Sequence, residues 1–301
     1  MPSMMLSENF GDALDARVRK IFTDEVKELN QSSMIDMLFG KFKSDRAYEI
    51  VSGVGGLGDI QDFDGTISYD SYEQLYDKTV EFPEKAGGIK IERKLYDDNL
   101  FSQIFQKPLG LAQARIRTRE KLAAAIFNGA FVGTDGGDGQ PLCSSSHPYS
   151  PSDATTQDNA GTTALSAVSI EATRRIGLTG VYNNRGELVD VNYDLLLVPV
   201  NLEETAYEVI NSKGKVETAN NNANFHYGRY KMAVWRRLTD SNNWFFIDSS
   251  MSKMFLMWWD RLDDGIKMDR DTDTLVAKWY TYYREAAAFA DWRWVYGHLV
   301  T

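Results

Sequence analysis

The chain has 301 residues, 43% of them hydrophobic and 25% charged, and its formal net charge is -10. These values are typical of a globular protein with a full-sized core and argue against a disordered chain. The densest apolar run, MFLMWW, falls far short of the roughly 18 residues that span a bilayer, so we expect no membrane association. The excess of negative charge repels phosphate backbones and argues against direct reading of nucleic acid.

The N-terminal sequence MPSMMLSENFGDALD has no basic region ahead of an apolar core, so it predicts no secretory signal. The chain holds a single cysteine, Cys143, so it has no intrachain disulfide framework, which fits a reducing compartment. We therefore expect the protein to be made in a cytosol.

An amphipathic helix is predicted for residues 8–30, where apolar residues recur at the spacing of one helix face. This stripe needs a partner surface, and we expect the chain itself to provide too little cover for it. The stripe consists of Phe10, Leu14, Val18, Ile21, Phe22, Val26 and Leu29.

A long two-stranded ribbon is predicted between residues 46 and 93, because aromatic or β-branched residues alternate there with charged ones. The segment PEKAGG offers turn chemistry between YDKTVEF and IKIERKL, so these two are expected to pair as a hairpin. Neither has a continuous apolar run, and an isolated hairpin is marginal in water. We therefore expect an exposed ribbon that another chain covers.

Helical periodicity returns over residues 97–129, where Pro108 and Gly110 are expected to separate a short helix from a long one. The basic cluster ARIRTREK within it is interpreted as a solvated helix face. Residues 130–164 are rich in Gly, Ser, Asp, Thr and Pro, which predicts a long surface loop.

The C-terminal half mixes helices and strands. A helix is predicted near residues 166–176, a buried strand at 195–200 and a second helix at 201–210. Two further strands flank a turn at 239–243, and aromatic-rich strand sequence continues to the end. Because the chain lacks regular βαβ alternation, the predicted fold class is α+β.

The segment GVGGLG fits the glycine pattern of dinucleotide-binding turns, in which a helix N-terminus approaches a pyrophosphate. The turn-like DIQDFDG that follows places acidic side chains where the diphosphate would lie. We therefore interpret these glycines as a flexible hinge.

The segment DRDTD places Asp269, Asp271 and Asp273 at alternate positions, as at the start of a calcium-binding loop. That loop requires glycine and glutamate where this chain has Thr274 and Tyr280. A polar turn or strand edge is the preferred interpretation.

Cys143 precedes His147 by four residues within DGQPLCSSSHP, so the two could form a thiolate–imidazole pair. A nucleophile needs a rigid surrounding shell and a third orienting group, neither of which the sequence indicates. We therefore interpret the segment as a mobile loop without a catalytic role. His226 and His298 stand in no metal-ligand spacing, so no metal site is predicted.

Three segments nevertheless resemble one family. They are DGQPLCSSSHP, the strand and helix YDLLLVPVNLEETAYEVINS, and DWRWVYGH near the C-terminus. Together with the order of helix, ribbon, long helix and late α+β unit, they resemble the major capsid proteins of tailed bacteriophages with the Hong Kong 97-type fold. The Mu-like major head subunit group is the most similar, and the likeness spans roughly residues 45–298.

The resemblance implies a division of the chain into the parts of that capsid fold. It implies an N-terminal arm at residues 1–45 and an extended β-hairpin loop at 58–95. A peripheral domain with a long spine helix would comprise residues 97–180 and 262–301, and an axial domain would comprise 181–261.

The resemblance also implies partners. The chain would self-assemble into hexamers and pentamers that form an icosahedral shell around DNA, without binding a particular sequence. A separate scaffolding protein is implied, because the sequence leaves no room for a scaffolding segment before the arm. A portal and a possible decoration protein complete the set, and the expected location is the virion, after assembly in the bacterial host cytoplasm.

No catalytic residue, cofactor or metal is expected for such a shell protein. An encapsulin-like compartment shell and a cysteine-dependent hydrolase using Cys143 and His147 stay open as alternatives. Charged ribbon residues are the predicted inter-subunit contacts. They are Asp77, Lys78, Glu81, Glu84, Lys85, Lys90, Glu92 and Arg93.

Overall fold

The computed structural model describes residues 10–301 except 61, 68, 215–222 and 272–274. It contains both helices and sheets, as the predicted α+β class requires. No helix in the described ranges is long and apolar enough to cross a membrane. The helices are α1 (Phe10–Asn30), α2 (Met34–Leu38), α3 (Arg93–Asp97), α4 (Phe101–Asn128), α5 (Ala167–Thr179), α6 (Glu203–Asn211) and α7 (Ser249–Phe255), with a 3₁₀ turn at Val200–Leu202.

The strands form a four-stranded sheet in the order β1-β11-β12-β4, a five-stranded sheet in the order β7-β13-β10-β8-β9, and the pairs β2-β3 and β5-β6. They are β1 (Gly40–Lys43), β2 (Tyr48–Val54), β3 (Gln74–Glu81), β4 (Glu84–Glu92), β5 (His147–Pro148), β6 (Thr156–Gln157), β7 (Ala160–Gly161), β8 (Leu195–Val198), β9 (Lys231–Val234), β10 (Trp244–Ile247), β11 (Leu256–Asp271), β12 (Val276–Phe289) and β13 (Val295–His298).

The apolar stripe of α1 finds its partner inside the chain. Leu14, Val18 and Phe22 are buried against α4 and one face of the four-stranded sheet. The indole of Trp279 in β12 donates to Asp15 at 3.0 Å. The expectation of too little cover is therefore wrong, because α4 and β12 reach this helix from distant parts of the sequence.

Helix α4 runs without a break through Pro108, so the predicted division into two helices is wrong. A proline in a helix interior removes one hydrogen bond and costs about 3 kcal/mol. Pro108 is buried, and the helix around it packs on α1 and β4 through Ile104, Leu111 and Ala112. This burial offsets the local cost.

Two arginines of α4 point into the protein rather than into water. The side chain of Arg115 is buried and pairs with Asp263 of β11 at 2.6 Å. Arg119 donates to the buried Glu285 of β12 at 3.0 Å. The interpretation of this cluster as a solvated face is therefore wrong for these two side chains, because the strands opposite them supply carboxylates.

The predicted hairpin between YDKTVEF and IKIERKL does not form. Strand β3 pairs with β2 in antiparallel register, whereas β4 joins the four-stranded sheet beside β12. Phe82, between the two strands, is buried with Val80 against Ala286 and Ala288 of β12. Phe82 and Ile91 are buried in different apolar clusters, and the EKAGG part of PEKAGG belongs to strand β4 and not to a turn.

The five-stranded sheet is buried on both faces. One face packs against α4 through Leu195, Phe245 and Phe127, and the other against α5 and α6. All the predicted strands of this half are present, although β9 and β10, the two around residues 239–243, are separated by β8 instead of pairing.

Two strands pair across the domain division that the resemblance implies. Strand β11 crosses the boundary at residue 262 without a break. Strand β13 pairs with β10, so the C-terminus joins the sheet of the predicted axial region rather than the peripheral one. The ribbon begins at Tyr48 in β2, close to residue 46 where its alternation predicted it, whereas the resemblance implied an extended loop from residue 58.

Residues 130–164 contain three short strands and several buried side chains, contrary to the predicted surface loop. The amide of buried Asn159 donates to the carbonyls of Leu142 and Val295 at 2.9 and 3.1 Å. These bonds attach the segment to β13, so a polar side chain of this segment supplies hydrogen bonds in the protein interior.

Candidate assembly surface

The ribbon formed by β2, β3 and the connecting residues 55–73 has two different faces. Glu49, Val51 and Val80 alternate with exposed positions, and Val51 and Val80 pack toward Ala286, Ala288 and Trp259. The outer face shows large apolar side chains to solvent, among them Tyr48 and Ile50, at 53% and 55% exposure. Residues directly opposite in an antiparallel pair share a face, so Glu81 and Thr79 lie beside them.

The ribbon tip, defined as residues 57–72, is the most apolar exposed segment of the described chain. Ile60 is 99% exposed, Tyr69 91% and Phe63 75%. Leu57, Ile67 and Tyr72 add to the same segment. Contiguous exposed apolar surface on a soluble protein marks an interaction site. Sequence analysis missed these residues, although apolar side chains in an otherwise polar, turn-like segment were a usable signal.

The ribbon tip is attached to the body by the turn at residues 183–187. The backbone N–H of Gly56 donates to Asn184 at 2.8 Å, and Arg185 donates to Asp70 at 2.8 Å. A Cβ on Gly55 would lie 2.6 Å from the Asn184 amide nitrogen, so glycine permits this close approach. In the described part of residues 55–73 no helix follows β2, so the structure does not support the dinucleotide interpretation, and Gly55 serves packing against Asn184.

The middle of the ribbon stands off the body. A cavity of about 370 Å³ lies between them, lined by Val51 and Leu75 on the ribbon and by Met257 and Trp292 on the body. Glu73 bridges the gap: it accepts hydrogen bonds from Ser152 and from Asn184, and these bonds lower the pKa of its carboxyl group.

The eight charged residues predicted as contacts do not form one surface. Asp77, Lys78 and Glu81 lie on β3 of the ribbon, Glu84, Lys85, Lys90 and Glu92 lie on β4 of the four-stranded sheet, and Arg93 begins α3.

Two of these lysines make contacts within their own subunit. Lys78 donates to the backbone carbonyl of Asp135. Lys85 lies opposite Tyr283 and faces the same side of the sheet. Burial lowers the pKa of the Lys85 ammonium group, although the negative charge of Glu285 opposes that shift. Of the eight, Asp77 and Glu81 are exposed on the ribbon.

Cys143 and His147 are both buried, so their interpretation as part of a mobile surface loop is wrong. Burial raises the pKa of the Cys143 thiol well above its usual range. The Nδ1 atom of His147 lies 2.6 Å from Asp138, and its ring stacks on Trp292. The Cys143 thiol lies against Gly297, whereas the His147 ring contacts Asp138 and Trp292, so the structure does not support a thiolate–imidazole pair.

Asp269 and Asp271, the described acidic residues of this segment, lie at the end of β11, as predicted for a strand edge. Asp273 and Thr274 fall outside the described residues. In the described ranges, no cluster of three or more His, Cys, Asp or Glu side chains could hold a metal ion.

A long helix on a four-stranded sheet, a second sheet bearing α5 and α6, and a projecting ribbon together define a Hong Kong 97-type capsid fold. The chain belongs to the phage capsid protein family, because the family model described as "Phage capsid protein" matches residues 77–297. The ribbon tip lies outside the matched residues. No curated protein matches the chain by sequence.

Solved structures agree with this fold at low sequence identity. The capsid protein of bacteriophage JBD30 is 14% identical with a TM-score of 0.57, covering 69% of this chain and 91% of that one. The mature capsid of bacteriophage PhiM1 is 9% identical with a TM-score of 0.57, covering 90% and 87%. A virus-like particle from Pyrococcus furiosus is 8% identical with a TM-score of 0.54, covering 94% and 98%.

Proposed function

We propose that this chain is the major head subunit of a tailed bacteriophage, without enzymatic activity, which self-assembles into hexamers and pentamers of an icosahedral shell around DNA. The observation that carries the proposal is the ribbon tip, whose apolar side chains are exposed although the subunit has a complete core. A monomer gains nothing from exposing these side chains, whereas a shell can cover each ribbon with a neighbouring subunit.

The formal net charge of -10 supports DNA as the content. A lining that repels phosphates lets a packaged genome slide, whereas a basic lining would bind it at every contact. Assembly in the bacterial host cytoplasm, with a separate scaffolding protein, a portal and a possible decoration protein, belongs to the same proposal. So does membership of the Mu-like head subunit group, which rests on the three sequence segments named above.

An encapsulin-like compartment shell is the second candidate, because the fold of the Pyrococcus furiosus particle covers 94% of this chain. The two candidates differ in what the particle encloses. Purified particles that contain nuclease-protected DNA support the phage head, and particles filled with a protein cargo support the compartment.

The ribbon tip provides the direct test. We expect replacement of residues 57–72 by a short Gly-Ser turn to leave a folded subunit, because none of the described side chains in that segment is buried. Closed shells should be lost when the variant is expressed with its scaffold. Circular dichroism reports folding and electron microscopy reports shells.

A milder variant separates the role of the apolar side chains from that of the loop length. Ile60→Ser, Phe63→Ser and Tyr69→Ser together keep the loop but remove its most exposed apolar groups, and they should also abolish shells. Normal shells from both variants would show that the ribbon tip is not a contact between subunits.

A further inference from the structure

Helices α5 and α6 lie on the same face of the five-stranded sheet, near opposite edges. Thr173 of α5 is hydrogen-bonded to His298 of β13 at 2.9 Å, beside the β7 edge. Helix α6 buries Ala206 and Ile210 in the apolar cluster on this face of the sheet. Met232 of β9, the strand at the opposite edge, packs against that cluster. Each helix leaves an exposed outer face.

The outer face of α6 is acidic with an aromatic centre. Glu204, Tyr207 and Glu208 follow one another at helical spacing and are all exposed, Tyr207 at 59%. Val200, in the turn before the helix, extends the same face. Neither Glu204 nor Glu208 has an ion pair among the described residues. We call this surface the acidic face.

The outer face of α5 is basic with apolar flanks. Arg174 and Arg175 share one carboxylate, that of Glu171, at 2.9 and 3.0 Å. The hydrogen bond from Arg174 is the main reason that the pKa of Glu171 falls to about 2, so the group carries two positive charges and one negative. Val168 and Leu178 are exposed on either side of Arg175 along the helix.

A third arginine extends this positive charge. Arg229 stacks over the exposed ring of Phe225 at 4.1 Å, and Arg174 approaches the same ring at 5.3 Å. With Val168, Arg175 and Leu178, these groups form what we call the basic face.

We infer that the acidic face of one copy binds the basic face of the next copy, so that identical subunits follow one another head to tail around the centre of a capsomer. The inference rests on the proposed function, because it takes the partner to be a second copy of this chain. Two different, complementary surfaces on one subunit make a heterologous contact, and such contacts close into rings. Exposed ion pairs set the partner and the register more than the affinity, while Tyr207, Val168 and Leu178 supply apolar contact.

Charge reversal tests the pairing directly. In the first variant, Glu204→Arg with Glu208→Arg makes both faces basic. In the second, Arg175→Glu with Arg229→Glu makes both faces acidic. Each variant alone should show a loss of capsomers of about tenfold or more, because like charges then meet at every contact. Native mass spectrometry counts the subunits in each ring, and circular dichroism checks the fold.

A mixture of the two variants gives the decisive result. Alternation of the two restores opposite charges at every contact in a ring with an even number of subunits, so hexamers should return. A ring of five cannot alternate without one like-charge contact, so pentamers should stay depleted. Asp24→Arg with Glu28→Arg, exposed on α1, is the matched control and should form capsomers like the wild type.

The outcomes separate this inference from the proposed function. A wild-type chain that forms no capsomers with its scaffold contradicts the proposed function itself. If the wild type assembles, the inference is overturned by single variants that form capsomers normally, or by a mixture that restores no hexamers while both variants are folded.

Discussion

The imidazole of His147 lies flat on the indole of Trp292, with 4.3 Å between the ring centroids and 10° between the ring planes. His147 is fully buried, and its Nδ1 atom lies 2.6 Å from the carboxylate of Asp138. The segment around His147, which the sequence predicts to be an exposed loop, is therefore held in the core by Trp292 near the C-terminus. Mutation of His147 is therefore expected to affect the stability of the subunit.

Loss of the His147 ring should destabilise the subunit. We expect His147→Ala to lower the free energy of unfolding by about 2–4 kcal/mol, because it removes a buried stacked ring and the partner of Asp138. Urea unfolding followed by tryptophan fluorescence measures the change. Ser145→Ala, on the exposed part of the same segment, is the matched control and should stay within about 0.5 kcal/mol. A His147→Ala protein as stable as the control would contradict the structure.

His298 should make the subunit sensitive to acid. Burial lowers the pKa of His298 to about 4, and the ring is bonded to the hydroxyls of Thr163 and Thr173 while it stacks on Trp244. The unfolded chain, with a histidine pKa near 6.5, binds the proton more readily. The contribution of neutral His298 is therefore complete above pH 6.5 and is lost as the pH falls toward 4, by up to about 3 kcal/mol.

The measurement is the free energy of unfolding between pH 7 and pH 4, for the wild type and for His298→Gln. Glutamine can bond both threonine hydroxyls but does not titrate, so the variant should lose less stability on acidification. Parallel curves for the two proteins would show that His298 is not the source of the pH dependence.

The ion pair of Arg119 with Glu285 should be costly to break from one side only. Burial raises the pKa of Glu285, although Arg119 opposes that shift. Glu285→Ala leaves a half-buried guanidinium without its main partner, so we expect a loss of about 3–5 kcal/mol in unfolding free energy. Glu285→Gln keeps a hydrogen-bond acceptor and should cost less. Equal stability of the two variants would argue against this explanation.

Replacement of residues 78–90 by a Gly-Ser turn should unfold the subunit. The hairpin predicted from sequence would place this segment in an exposed ribbon, but the segment contains the buried Val80 and Phe82 and most of β4. Circular dichroism and thermal melting should show loss of the cooperative transition, in contrast to the folded 57–72 variant. A folded protein after this replacement would show that β4 is not part of the core.

The sequence alone predicted the class of most elements and the family resemblance. Helices α1 and α4 and the strands β8 and β12 were visible because the periods of 3.6 and 2 are local properties of the chain. It also indicated that a ribbon would be exposed, since its strands carry alternating charges. The outer apolar positions and the ribbon tip were missed because single apolar residues between aspartates do not form a periodic pattern.

Only the tertiary structure decided which strands pair and which polar side chains are buried. Strand β4 pairs with β12 rather than with β3, and His147, Arg115 and Glu285 lie in the interior although their own side chains are polar. The physical reason is that strand partners and buried charge partners come from distant parts of the chain. Their energies depend on contacts that no local window of sequence contains.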